Sequence, residues 1–128
     1  MKTIRMKKED WEKWDAALRS GEYGQCEGHL TNGEGGYCCL GVMQKCLANE
    51  IVPMVDEDGT VQQVPDPDWL KQHGIAFSAS ADVPYEHWIA KVPYLPALGE
   101  TAADANDGGV SFIEIANAIK EAVEFTDA

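Results

Sequence analysis

The stretch Tyr37-Cys38-Cys39-Leu40-Gly41-Val42-Met43-Gln44-Lys45-Cys46-Leu47 decides how this chain folds. It is the most apolar run in a polar, acidic sequence. Cys39, Val42, Met43, Cys46 and Leu47 recur at the spacing of one helical face. The spacing predicts a central buried helix from about Cys39 to Ala48, with the other elements packed around it. Gly41 lowers the helix propensity of that segment by roughly 1 kcal/mol, a cost that close approach of another backbone would explain.

Upstream, residues 22–38 read as a hairpin. Tyr23 to Leu30 is one strand and Tyr37-Cys38 starts the other, across a turn rich in Asn-Gly and Gly-Gly pairs. Before it, residues 7–20 carry Trp11, Trp14, Ala17 and Leu18 on one helical stripe. Glu9 and Asp10 lie in the first turn and Arg19 in the last, as the helix dipole prefers. Gly21 is the stop.

Downstream, Ile51 to Val64 reads as a second hairpin around Asp58-Gly59, with Pro53 confined to an edge. Asp66-Pro67 opens a short helix that ends near Gly74 and buries Trp69 and Leu70. Residues 75–99 are irregular and hold Phe77, Tyr85, Trp88 and Tyr94. Pro84, Pro93 and Pro96 leave room only for a short helix around 85–90. A short helix over 99–107 follows. Ser111 to Glu114 is a capping box, and Phe112, Ile115, Ala116, Ile119 and Val123 mark the inner face of a final helix to about Phe125. The expected fold is a single α+β domain spanning 1–128: a small antiparallel sheet of two hairpins packed with three main helices.

A chain of 128 residues with 45% apolar content buries a core without metals or disulfides. Its net charge of −12 is uneven: residues 1–20 hold six basic and four acidic side chains, the remainder four basic and eighteen acidic. Most of such a surface repels phosphates, so direct nucleic acid binding is not expected. The charge serves solubility or, on a sharper reading, an acidic face that mimics nucleic acid toward a DNA-binding host protein. No apolar run follows the basic start Met1-Lys2-Thr3-Ile4-Arg5, and none approaches the roughly 20 residues that span a bilayer. A cytoplasmic location without membrane contact is expected, with four reduced cysteines rather than a disulfide framework.

Three segments together carry a resemblance: Ala17-Leu18-Arg19-Ser20-Gly21-Glu22-Tyr23-Gly24-Gln25, then Tyr37-Cys38-Cys39-Leu40-Gly41-Val42, then Asn106-Asp107-Gly108 with Ser111-Phe112 and Ile115-Ala116. In this order they resemble a family of small proteins of tailed bacteriophages and prophages. Relatives often carry cysteine where Gln44 stands, aspartate at Lys45 and leucine at Ala105, which weakens any site built on a third cysteine. The resemblance implies an accessory protein acting in the cytoplasm of an infected bacterium. It implies no chemistry.

The residues themselves offer little assembled catalysis. Cys26-x-x-His29 with Cys38, Cys39 and Cys46 supplies zinc-type ligands at poor spacing, so small buried hydrophobes are the simpler reading, and no metal or cofactor is expected. A Cys38–His29 pair is the one route to a thiol nucleophile. Asp56 with Asp58, and Asp66 with Asp68, sit where turns and caps need them. The polar group open to a binding role is Arg19, Tyr23, Gln25, Asn106 and Asp107, with Trp88 as a stacking surface. Arg19 offers a planar fork to an anion, and Gln25 and Asn106 can read amide or base edges. Each also has a structural use: Gln25 can bond a neighbouring strand, and Asn106-Asp107 can cap and turn. The expected function is non-catalytic binding of a small anionic ligand, such as a nucleotide, or of a host protein. The alternatives are the acidic mimic and a small thiol- or carboxylate-dependent enzyme; a homo-oligomer is compatible with all three.

Overall fold

The computed structural model describes residues 2–80 and 82–126. Its elements are β1 (Ile4–Lys7), α1 (Lys8–Ser20), β2 (Gly24–Gln25), β3 (Gly36–Tyr37), α2 (Cys39–Ala48), β4 (Pro53–Val55), β5 (Val61–Pro65), α3 (Pro67–Gln72) and β6 (Ala76–Phe77). A single 3-10 turn at Tyr85–His87 precedes β7 (Tyr94–Leu95), β8 (Glu100–Thr101), α4 (Ala102–Asp107), α5 (Phe112–Ala122) and β9 (Val123–Thr126). The α+β class with three main helices, α1, α2 and α5, is as the apolar periodicity implies.

The quoted stretch does form the central helix. Cys39, Leu40, Val42, Met43 and Gln44 are all buried, so the first turns of α2 are enclosed on every side, while Cys46 and Leu47 emerge to half-burial. Gly41 lies under the backbone of Leu30. A Cβ at Gly41 would fall 1.9 Å from the Leu30 carbonyl oxygen, so only glycine fits. That same carbonyl accepts the Cys38 N–H at 3.1 Å. Trp14 of α1, fully buried, donates its indole N–H to the Cys39 carbonyl at 2.9 Å and joins the two helices at the point where α2 begins. Gln44 is buried and satisfied at both ends: its amide donates to the Val52 carbonyl at 2.8 Å and accepts the Val52 N–H at 3.1 Å. A glutamine here therefore fastens α2 to the β4–β5 hairpin, which a cysteine cannot do.

The strands depart from expectation in three places. Residues 22–38 are not a plain hairpin. β2 and β3 pair in parallel, Gly24 with Gly36 and Gln25 with Tyr37, and the antiparallel component shrinks to a Thr31–Tyr37 bridge. Positive φ at Gly28, Gly33 and Gly35 lets the chain double back twice within this short span. The last helix ends at Ala122, and Val123 and Phe125 belong to strand β9. β9 runs parallel to β1, Ile4 opposite Val123 and Met6 opposite Phe125, while β6 pairs antiparallel to the other edge of β1. This mixed three-stranded sheet, in the order β6-β1-β9, arises from short segments without a turn signal between them. The β4–β5 hairpin and its Asp58-Gly59 turn are as expected, with Gly59 at φ +86° and an irregularity at Pro53–Met54.

Helix ends follow their sequence signals. Asp66 caps α3, Thr101 caps α4 and Ser111 caps α5. At Ser111 the Glu114 carboxylate meets the hydroxyl, 3.5 Å away. α2 is capped instead by the Cys38 sulfur, which accepts the Gly41 N–H at 3.4 Å.

Candidate functional site

Asn106 is the hub of one polar cluster. It is 0% exposed, at the end of the short helix α4. Its Nδ2 donates to the Cys26 carbonyl at 2.7 Å, and its Oδ1 accepts from Gln25 Nε2 at 3.0 Å and from the Cys39 N–H at 3.3 Å. Gln25 donates again to the Val110 carbonyl at 2.8 Å. Asp107, next along, accepts the Gly28 N–H at 2.7 Å. Gln25, Asn106 and Asp107 are thus brought together, and their polar atoms join loop 24–28, the start of α2 and the end of α4. Two long connections lacking regular ladders have backbone groups to satisfy, and this cluster satisfies them.

Arg19 and Tyr23 lie apart from that hub. Arg19 Nε bonds the Asp15 carboxylate at 3.0 Å and Nη2 donates to Asn117 Oδ1 at 2.8 Å, tying α1 to α5. Tyr23 packs edge-on against Tyr37, with ring centroids 5.6 Å apart, and its hydroxyl pKa is raised, chiefly by burial.

Three of the thiols, Cys26, Cys38 and Cys39, lie near the same hub, and Cys46 lies toward the other end of α2. Burial pushes Cys38 up to about 11, and Cys46 also to about 11. Cys39, fully buried, is raised well above the ordinary thiol value by the same cause, and Cys26 is raised by its own partial burial. All four cysteines are unpaired. Each thiol contacts backbone: Cys39 donates toward the Ala102 carbonyl at 3.6 Å, Cys46 toward Met43 at 3.5 Å and Cys26 toward His29 at 3.4 Å. Thiols held protonated in this way are poor nucleophiles and poor metal ligands. Among the described residues no three His, Cys, Asp or Glu side chains converge as a metal site would require.

Trp88 stands in a different place, on the wall of an open cleft of about 440 Å³. β6 forms the floor with Phe77, α3 one wall with Asp68, Leu70 and Lys71, and the 3-10 turn with the two residues after it the other, through Tyr85, Trp88 and Ile89. The indole N–H of Trp88 donates to the Val83 carbonyl at 2.8 Å, so the ring offers the cleft only its carbon surface. Tyr85 meets Trp88 edge to face at 5.5 Å. Beneath Tyr85, the Arg5 guanidinium lies 3.9 Å from the ring centre, and Arg5 Nε is 3.0 Å from the Glu124 carboxylate. The Nε–carboxylate approach is poorly aligned for a hydrogen bond, so this is a charge contact stacked on an aromatic face. Sequence reasoning missed Arg5 and Lys71 here. The proline-punctuated aromatic loop was the available signal, but nothing in it says that β1 and α3 would meet it.

Residues 6–66, from the end of β1 to the cap of α3, match a domain of unknown function (DUF8296). No curated protein and no solved structure is significantly similar to the chain. No helix among the described residues is long and apolar enough to cross a membrane.

Proposed function

We propose that this chain is a non-catalytic binding protein of phage origin. It acts in the cytoplasm of an infected bacterium and blunts a host response by holding a small signalling molecule, such as a nucleotide, or a host protein. The observation that carries the reading is where the reactive groups are. Cys38 and Cys39 are buried, which favours their protonated thiols, and the polar hub is committed to backbone hydrogen bonds. The concave surface, by contrast, is lined with aromatic and aliphatic side chains and two charges, which suits recognition rather than bond-making. Trp88 remains the stacking residue of this proposal. Arg19, already engaged by Asp15 and Asn117, contacts an anion only if one displaces Asn117.

The test is capture without turnover. Purified protein is incubated with small-molecule extracts of bacteria, and the bound fraction is released by denaturation and identified by mass spectrometry. The reading expects stoichiometric recovery of an unaltered compound, lost on Trp88→Ala. Consumption of a compound at catalytic protein levels contradicts it.

The acidic-mimic reading has one observation in its favour. The β4–β5 hairpin presents Asp56, Glu57 and Asp58 beside the exposed apolar residues Val55 and Val61. Binding of a basic host protein through this hairpin would weaken steeply with salt, and binding in the cleft would not.

A further inference from the structure

Resting on the binding reading above, we infer that the cleft between α3 and the Tyr85–Ile89 segment takes a purine base or nucleoside with no net charge, in preference to a nucleotide polyphosphate. Four observations converge on that class.

The volume is the first. At about 440 Å³ the cleft lies toward the small end of the roughly 300–1,000 Å³ span of ligand sites. It admits one ring system and a small substituent. The second is the character of the walls. Trp88 and Tyr85 stand on one side and Phe77 at the base, and with its N–H already bonded to Val83 the Trp88 ring can contribute only stacking. Stacking requires a flat partner.

The third observation is a pair of opposite charges with nothing to hold. Asp68 and Lys71, three residues apart on α3, both line the cleft and both are exposed. Neither side chain has a hydrogen-bond or ion-pair partner among the described residues. A carboxylate accepts and an ammonium only donates. Together they match a ring edge that offers N–H donors beside nitrogen or oxygen acceptors, as a purine does. In the folded chain alone Asp68 also favours the positive end of α3. Lys71, in the last turn, suits the negative end in the same way, so the dipole accounts for both charges on α3 but not for both lining the cleft.

The fourth observation is the field. A single lysine balanced by a single aspartate lines the site, on a chain of net charge −12. That surroundings repels a triphosphate and is indifferent to a neutral nucleoside.

The experiment titrates guanosine, adenosine and their triphosphates into the full-length protein, following tryptophan fluorescence and backbone amide shifts. Free tryptophan, a zwitterion of comparable size, is included as a competitor class. Expected is saturable binding of at least one nucleoside, with shifts at Lys71, Ala76 and 85–90. Each triphosphate should bind about tenfold or more weaker than its nucleoside, with little salt dependence for the nucleoside. Asp68→Asn and Lys71→Gln, both surface changes, should each weaken the nucleoside several-fold at unchanged melting temperature. Absence of nucleoside shifts at millimolar concentration, tighter binding of a triphosphate, or tighter binding of tryptophan overturns the inference. The last two outcomes leave the broader binding reading standing, because the cleft is still occupied. A captured compound displaced by none of these and insensitive to Trp88→Ala removes both.

Discussion

The Asn106 hub and the aromatic cleft both gather polar and aromatic side chains, and they use them in opposite ways. At the hub, Asn106 and Asp107 bond the backbone of Cys26, Gly28 and Cys39, and Gln25 bonds Asn106 and the Val110 carbonyl. The bonds to Cys26 and Gly28 satisfy loop backbone that has no ladder partner there, and the bond to Cys39 satisfies an amide in the first turn of α2. At the cleft, Asp68 and Lys71 have no such partners, and Ile89 is 84% exposed. A conspicuous polar motif can therefore be framework, while a plainer stretch of prolines and aromatics forms the accessible surface. The matched domain segment, residues 6–66, contains half of the hub and stops just short of the cleft.

The comparison is sharpened first on the framework side. Gly41→Ala forces a methyl onto the Leu30 carbonyl, and the expected loss is about 3 kcal/mol or more in denaturant unfolding. Asn106→Ala leaves the Cys26 carbonyl and Cys39 N–H without partners. The expected cost is about 2–4 kcal/mol; a loss below about 1 kcal/mol would show that water replaces the amide and that the hub is looser than its geometry.

A smaller, pH-dependent effect comes from the thiols. Cys38 and Cys46 hold their protons to about pH 11 in the folded state, against 9.0 for an unperturbed thiol. A raised folded-state pKa means that the stabilisation is complete below about pH 9 and is lost as pH rises toward 11. Chemical denaturation across that window should show falling stability in the parent protein and a shallower fall in the Cys38→Ser, Cys46→Ser variant.

The least disruptive change is on the cleft side. Arg5→Ala removes the guanidinium under Tyr85 and the contact with Glu124. Both are partly exposed, so the stability loss should stay below about 1 kcal/mol. Faster amide exchange confined to 83–90 is the expected signature; a global loss of several kcal/mol would place Arg5 with the framework instead.

Much of this was legible in the residues. α1, α2, α3 and the β4–β5 hairpin follow from apolar spacing, caps and turn pairs, and the close approach at Gly41 follows from a glycine set in an apolar helix. The β1, β6 and β9 strands were not legible. Ile4–Lys7 and Val123–Thr126 are four residues each, joined only through tertiary pairing, and Val123 continues the helical apolar pattern of α5 before the chain turns into a strand. Asn106 and Asp107 stood out as polar, but their partners at Cys26, Cys39 and Gly28 are about 65–80 residues distant along the chain, and no local pattern encodes such pairing. Lys71 as a cleft residue, and Arg5 as the support under Tyr85, were invisible for the same reason.

The central claim, that the double-thiol segment is framework, is tested most directly by timing thiol modification of the native protein with an uncharged alkylating reagent at neutral pH. The account predicts that half-buried Cys26 reacts first, and that Cys38 and Cys39 react only at the rate of global unfolding, accelerating with denaturant as unfolding does. Rapid modification of Cys38 or Cys39 in the native state, at a rate indifferent to denaturant, would contradict it and return that pair to consideration as a reactive site.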